Sequence, residues 1–103
     1  MTSKHYNKQR GRRQHIINKY TNGDGNVIDS FVVDKGHKDG VEIHSVTDTG
    51  LIIIHNKDSG RLITKLIARP QQIERYYKDI DRSPPSWLLR LAQWHMDMRY
   101  NHI

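Results

Sequence analysis

The chain has 103 residues, of which 35% are hydrophobic, carries a net charge of +6 and contains no cysteine. That length makes one small domain with a thin core, in keeping with a mean hydropathy of −0.83; the missing cysteine excludes a disulfide framework and a thiolate metal site. No apolar run approaches the ~18 residues a membrane span needs, and the basic N-terminus has no apolar stretch behind it, so neither a membrane partner nor a signal peptide is expected.

The charge is unevenly placed. Residues 1–20 hold Lys4, Lys8, Arg10, Arg12, Arg13 and Lys19 and no acid, and the other 11 of the 17 basic residues are matched by 11 acids. A block of this kind binds polyanions or stays solvated. Residues 1–14, MTSKHYNKQRGRRQ, read as a flexible or partly helical basic arm, and HIINKY (15–20) as one helical turn carrying Ile16, Ile17 and Tyr20. TNGDGN then signals a turn. The arm is taken as 1–20 and the folded domain as 21–103.

Four strands are predicted next. NVIDSFVV (26–33) comes first, and GVEIHSVT (40–47) alternates with Glu42, His44 and Val46 on one face. GLIIIHN (50–56) is apolar on both faces, as a central strand is, and RLITKLIA (61–68) is the fourth. The links DTG and NKDSG are short and of hairpin type, so the strands form an antiparallel meander. PQQIERYYKDI (70–80) opens with proline and repeats Ile73, Tyr76, Tyr77 and Ile80 at helical spacing. SPPSWLLRLAQWHMDMRY (83–100) is the strongest helix: Ser83 can cap it, Pro84 or Pro85 can open it, and Trp87, Leu91, Trp94 and Met98 form a stripe expected to face the core. The fold class is therefore α+β: a four-stranded antiparallel meander covered by a C-terminal amphipathic helix, with a basic N-terminal arm.

Seven histidines are present, without the paired spacing of a zinc site, and no metal or cofactor is expected. His44 lies inside a strand on the same face as Glu42, where an imidazole of ordinary pKa near 6.5 serves as acid or base. His37 sits between two glycines in a loop, a second acid–base candidate. Thr64 interrupts an apolar strand, so its hydroxyl is either a strand filler or a phosphate contact. Arg69 is held extended by Pro70 and can fork onto two phosphate oxygens or make a surface ion pair. Of Tyr76 and Tyr77, one can pack inward while the other stacks on a base or reaches a phosphate. A base for the 2′-OH, an acid for the leaving oxygen and a cation for the phosphorane are what RNA cleavage without metal needs.

In its order of elements, a basic segment followed by a four-strand meander and covering helices, the chain resembles the barnase–EndoU–colicin–RelE group of small metal-independent ribonucleases, many of them toxins. The stretch GHKDGVEIHSVTDTGLIIIHNKDSGRLITKLIARPQQIERYY (36–77) also looks like segments of small phage and mobile-element proteins. The resemblance implies a histidine early in the sheet, His44 or His37; a hydroxyl in a late strand, Thr64; and Arg69 or Tyr76 nearby. The glutamate base of the barnase type has no clear counterpart, Glu42 being adjacent to His44.

The expectation is a metal-independent endoribonuclease with candidate catalytic residues His37, His44, Thr64, Arg69 and Tyr76, and with the basic residues of 1–20 on nucleic acid, RNA ahead of DNA. The alternative is a non-catalytic nucleic-acid-binding protein, or a phage-encoded inhibitor of a host defence protein such as a CRISPR component. A protein partner (an antitoxin or defence protein), a homodimer built around Trp87 and Trp94, and a cytoplasmic location, that of the host cell for a phage protein, complete the expectations.

Overall fold

The computed structural model describes residues 23–36 and 40–101, the side chains of 99–101 excepted. The basic arm and His37 lie outside the described residues. The strands run β1 (Val27–Asp34), β2 (Val41–Thr47), β3 (Leu51–Asn56) and β4 (Leu62–Ile67), followed by helices α1 (Pro70–Asp79) and α2 (Ser86–Asn101). The sheet order is β1-β2-β3-β4, with every neighbour antiparallel. This is the α+β meander expected from the hydrophobic pattern. Among the described residues no helix is long and apolar enough to cross a membrane.

Turn chemistry fixes the strand ends. After β2, Gly50 takes φ 87, a conformation that costs glycine little, and its N–H reaches back to the Thr47 carbonyl at 3.1 Å. After β3, the Asn56 side chain accepts the N–H groups of Asp58 and Ser59 at 3.0 and 2.9 Å, a side-chain mimic of a backbone turn. Register follows from these turns. Phe31 stands opposite His44, His44 opposite Ile54, and Ile54 opposite Thr64. A bulge in β4 leaves Ile63 as the extra residue between the Ile54–Thr64 and His55–Leu62 pairs. Consecutive residues Ile63 and Thr64 thereby line the same cleft.

Pro70 supplies the first position of α1 and holds Arg69 extended at φ −105, ψ 150. Gln72 Oε1 accepts the Arg69 N–H at 3.0 Å, satisfying a donor at the helix start. Ile73 and Tyr77, one turn apart, are buried on the sheet. The Tyr77 hydroxyl donates to the Asp29 carboxylate of β1, and the Arg82 guanidinium lies 5.8 Å above the Tyr77 ring. These contacts fix both the position and the rotation of α1.

Helix α2 begins at Ser86, one or two residues after the Pro84 or Pro85 start that a cap at Ser83 predicts. Two successive prolines keep residues 83 and 84 out of the helical region, and the Pro85 carbonyl accepts the first helical N–H groups, from Leu88 at 3.1 Å and Leu89 at 3.3 Å. The helix also presents a different face from the one expected. Leu88, Ala92 and His95 are buried, whereas Trp87 and Trp94 are each 42% exposed. Small Ala92 permits close approach. The His95 Nε2–H donates to the Thr49 carbonyl at 2.8 Å, which ties α2 to the turn after β2. The core is made by Phe31, Val46, Ile52, Ile54 and Ala68 of the sheet with Ile73, Tyr77, Leu88 and Ala92 of the helices.

Candidate active site

A cleft of about 460 Å³ opens between the helix-covered face of the sheet and α1. Its floor is apolar where Val33, Ile54, Ile63 and Leu66 meet, and its polar groups enter from three elements. β2 contributes Glu42 and His44. As alternate residues of one strand they point to the same face, and both are buried, at 8% and 6% exposure. Their side chains meet: His44 Nε2 lies 2.8 Å from Glu42 Oε1. β4 contributes Thr64. α1 contributes Gln72, Arg75, Tyr76 and Asp79, whose spacing of i, i+3, i+4, i+7 makes one helical stripe. Lys35, just beyond β1, stands at the edge.

Tyr76 joins the helix to the strand. Its hydroxyl lies 2.5 Å from His44 Nδ1. Its ring stacks on Phe31 with centroids 5.1 Å apart and planes 13° from parallel, and meets the imidazole edge at 5.5 Å. The Tyr76 pKa is pushed up to about 12, first by burial and then by the Glu42 carboxylate, with Arg75 pulling it back. Because a carboxylate only accepts, the proton between His44 and Glu42 sits on Nε2, and in the neutral imidazole Nδ1 then accepts the Tyr76 O–H. The result is a carboxylate–imidazole–hydroxyl chain, Glu42–His44–Tyr76, within the cleft.

This arrangement has the logic of a proton relay. The carboxylate orients the imidazole and stabilises the cation it forms on taking a proton, and the imidazole can receive the hydroxyl's proton when the hydroxyl takes one from a bound group. Cations stand nearby in Arg75 and Lys35. They are balanced across the lining by Glu42 and Asp79, so the cleft is not a uniformly positive groove.

Three of the residues singled out in the sequence, His44, Thr64 and Tyr76, come together here. Arg69 does not line the cleft. It is exposed at the start of α1, where its backbone N–H is used for the cap. The arginine that does line it is Arg75, six residues on. Tyr77 is the tyrosine that packs inward, fully buried. Arg75 and Lys35 are the members that motif reasoning passed over, and Glu42, placed on the face of His44, was set aside as a base. Glu42 and Arg75 carried a readable signal: Glu42 by its i, i+2 relation to His44, Arg75 by its place in the stripe with Gln72, Tyr76 and Asp79. Comparison of the chain with known protein families, with curated proteins and with solved structures gives no match.

Proposed function

We propose that the cleft cleaves RNA without a metal ion, by attack of the ribose 2′-oxygen on the adjacent phosphodiester. The observation that carries this reading is the Glu42–His44–Tyr76 chain beside two cationic side chains in one cleft. Tyr76 Oη takes the 2′-OH proton as its own proton passes to His44 Nδ1, and Glu42 stabilises the imidazolium. The 2′-oxygen bonds to phosphorus and the bond to the 5′-oxygen breaks. The departing 5′-oxygen takes a proton from the Lys35 ammonium. Arg75 forks onto the non-bridging oxygens, where charge grows in the transition state, and the Thr64 hydroxyl donates to one of them. The products are a 2′,3′-cyclic phosphate and a free 5′-OH.

The test is incubation of labelled single-stranded RNA, duplex RNA and DNA with the protein in EDTA. Cleavage of RNA alone is expected, falling by about 10²–10⁴ in His44→Ala, the usual contribution of a positioned acid–base group. Arg75→Ala is expected to fall comparably and Arg69→Ala to stay close to wild type.

A second reading rests on the placement of charge. The excess of positive charge is in residues 1–20, and the cleft lining is balanced. A non-catalytic nucleic-acid-binding protein, or an inhibitor of a host defence protein, would show that distribution. Strongly salt-dependent binding of RNA without any cleavage would favour it.

A further inference from the structure

The sheet has a second face, on which neither described helix packs. The helices close over Phe31, Val46, Ile52, Ile54 and Ala68. Alternate residues of a strand point to opposite faces, so Val32, Ile43, Ser45, Leu51, Ile53 and Ile67 lie on the other side. Burial of this face is graded. Leu51 is fully buried and Ser45 is 7% exposed, although both lie outside the core that the helices close. Ile43, Ile53 and Ile67 are half-buried, and Val32 is 64% exposed. The deep end is where the chain enters the fold. The Thr49 hydroxyl donates to the Asp24 carbonyl at 2.6 Å. Lys65, which pairs with Ile53 and so shares its face, donates from its ammonium to the Asp24 carboxylate at 2.6 Å. The chain before Asp24 therefore arrives at this face and not at the cleft.

We propose that the segment HIINKY, residues 15–20, docks on this face as a further layer, with Ile16, Ile17 and Tyr20 against Ile43 and Ile53. A sheet that is apolar on both sides is stable when both are covered, and β3 is such a strand: Ile52 and Ile54 meet the helices, Leu51 and Ile53 point away from them. The occupant follows from composition and reach. Apart from Met1 and Tyr6, the apolar side chains of residues 1–22 are those of Ile16, Ile17 and Tyr20. Extended chain spans about 10 Å from Gly23 back to Tyr20 and about 25 Å back to Ile16, and four strands are about 14 Å across, so the segment reaches the whole width of the face. Only Thr21 and Asn22 separate it from Gly23. So short a tether holds it at an effective concentration in the millimolar range, which a second copy or a free partner at micromolar concentration does not match. The proposal is independent of the chemistry in the cleft, which opens on the opposite face.

The test is nuclear Overhauser spectroscopy of the full wild-type chain with isotope-labelled isoleucine methyl groups. Methyl contacts from Ile16 and Ile17 to Ile43 and Ile53 are expected within one molecule. Ile17→Asp should lose those contacts and lower the urea midpoint, and the solvent-facing substitution Lys19→Ala should leave both unchanged. Absence of the wild-type contacts would overturn the proposal whether or not the variants fold. So would an Ile17→Asp midpoint equal to that of wild type. Contacts that arise only between differently labelled copies in a mixed sample would give the face to a second copy and overturn it as well.

Discussion

Tyr76 is the residue on which the candidate site turns. It joins the sheet's imidazole to the α1 wall of the cleft, and its hydroxyl is separable from its ring. Tyr76→Phe keeps the stack on Phe31 and removes only the bond to His44. Its stability cost should be about 1 kcal/mol, the net worth of one hydrogen bond, read from denaturant unfolding, while RNA cleavage should fall by about 10²–10⁴. The raised pKa gives an alkaline signature. The folded chain holds the Tyr76 proton up to about 12, against 10.0 for a free tyrosine, so between those values the unfolded state is the one that loses it. The stabilisation is fully present below pH 10 and is lost as pH rises towards 12. Wild type should therefore lose melting temperature more steeply than Tyr76→Phe across that interval. Equal slopes would mean that Tyr76 is not held as described.

At the scale of the elements, most of the architecture was legible in the sequence, because turn residues and alternation act locally. Gly50, Asn56 and Gly60 end hairpins by their own chemistry, and the helix opened by Pro70 spans 70–79 where 70–80 is expected. The face of α2 was not legible. Of the stripe expected inside, Trp87 and Trp94 are exposed and Leu91 and Met98 half-buried, because the space above the sheet admits Ala92 and a histidine bonded to the Thr49 carbonyl, and both are long-range facts. Arg69 gave way to Arg75 for a related reason: strand-end geometry can be read from Arg69-Pro70, but the rotation of α1 over the cleft depends on Tyr77 reaching Asp29. The junction of α2 with the sheet yields its own prediction. A Cβ at Gly50 would lie 2.9 Å from the His95 ring, at a φ of +87 that side chains rarely adopt. Gly50→Ala should destabilise the fold by about 2–4 kcal/mol, the combined cost of overpacking and a left-handed conformation, with a matching loss of denaturant midpoint. A midpoint within experimental error of wild type would contradict the packing of α2 on that turn.

The whole molecule divides its tasks by element. The sheet fixes Glu42 and His44 in a rigid strand. α1, tied to β1 through Tyr77 and Asp29, brings Tyr76 and Arg75 over them, and α2 closes the core with Leu88 and Ala92. Polar groups on two independently anchored elements can hold a substrate between them without either element moving far. On the proposed reading nucleic-acid affinity and chemistry are separable: the basic residues of 1–20 would bring salt-dependent attraction, and the charge-balanced cleft would carry the reaction. Raising ionic strength should weaken binding of RNA while leaving the single-turnover rate of saturated enzyme nearly unchanged; a parallel loss in both would place the basic segment within the reaction itself.

The most direct measurement is single-turnover cleavage, in EDTA, of one RNA strand and of the same strand with a single 2′-deoxy nucleotide at the cut position, by wild type and Tyr76→Phe. The account predicts a 2′,3′-cyclic phosphate end from wild type on the RNA, no cut at the deoxy position, and little or no product from Tyr76→Phe. Cleavage at the deoxy position, an undiminished rate in Tyr76→Phe, or no cleavage of RNA by the folded wild type would contradict it.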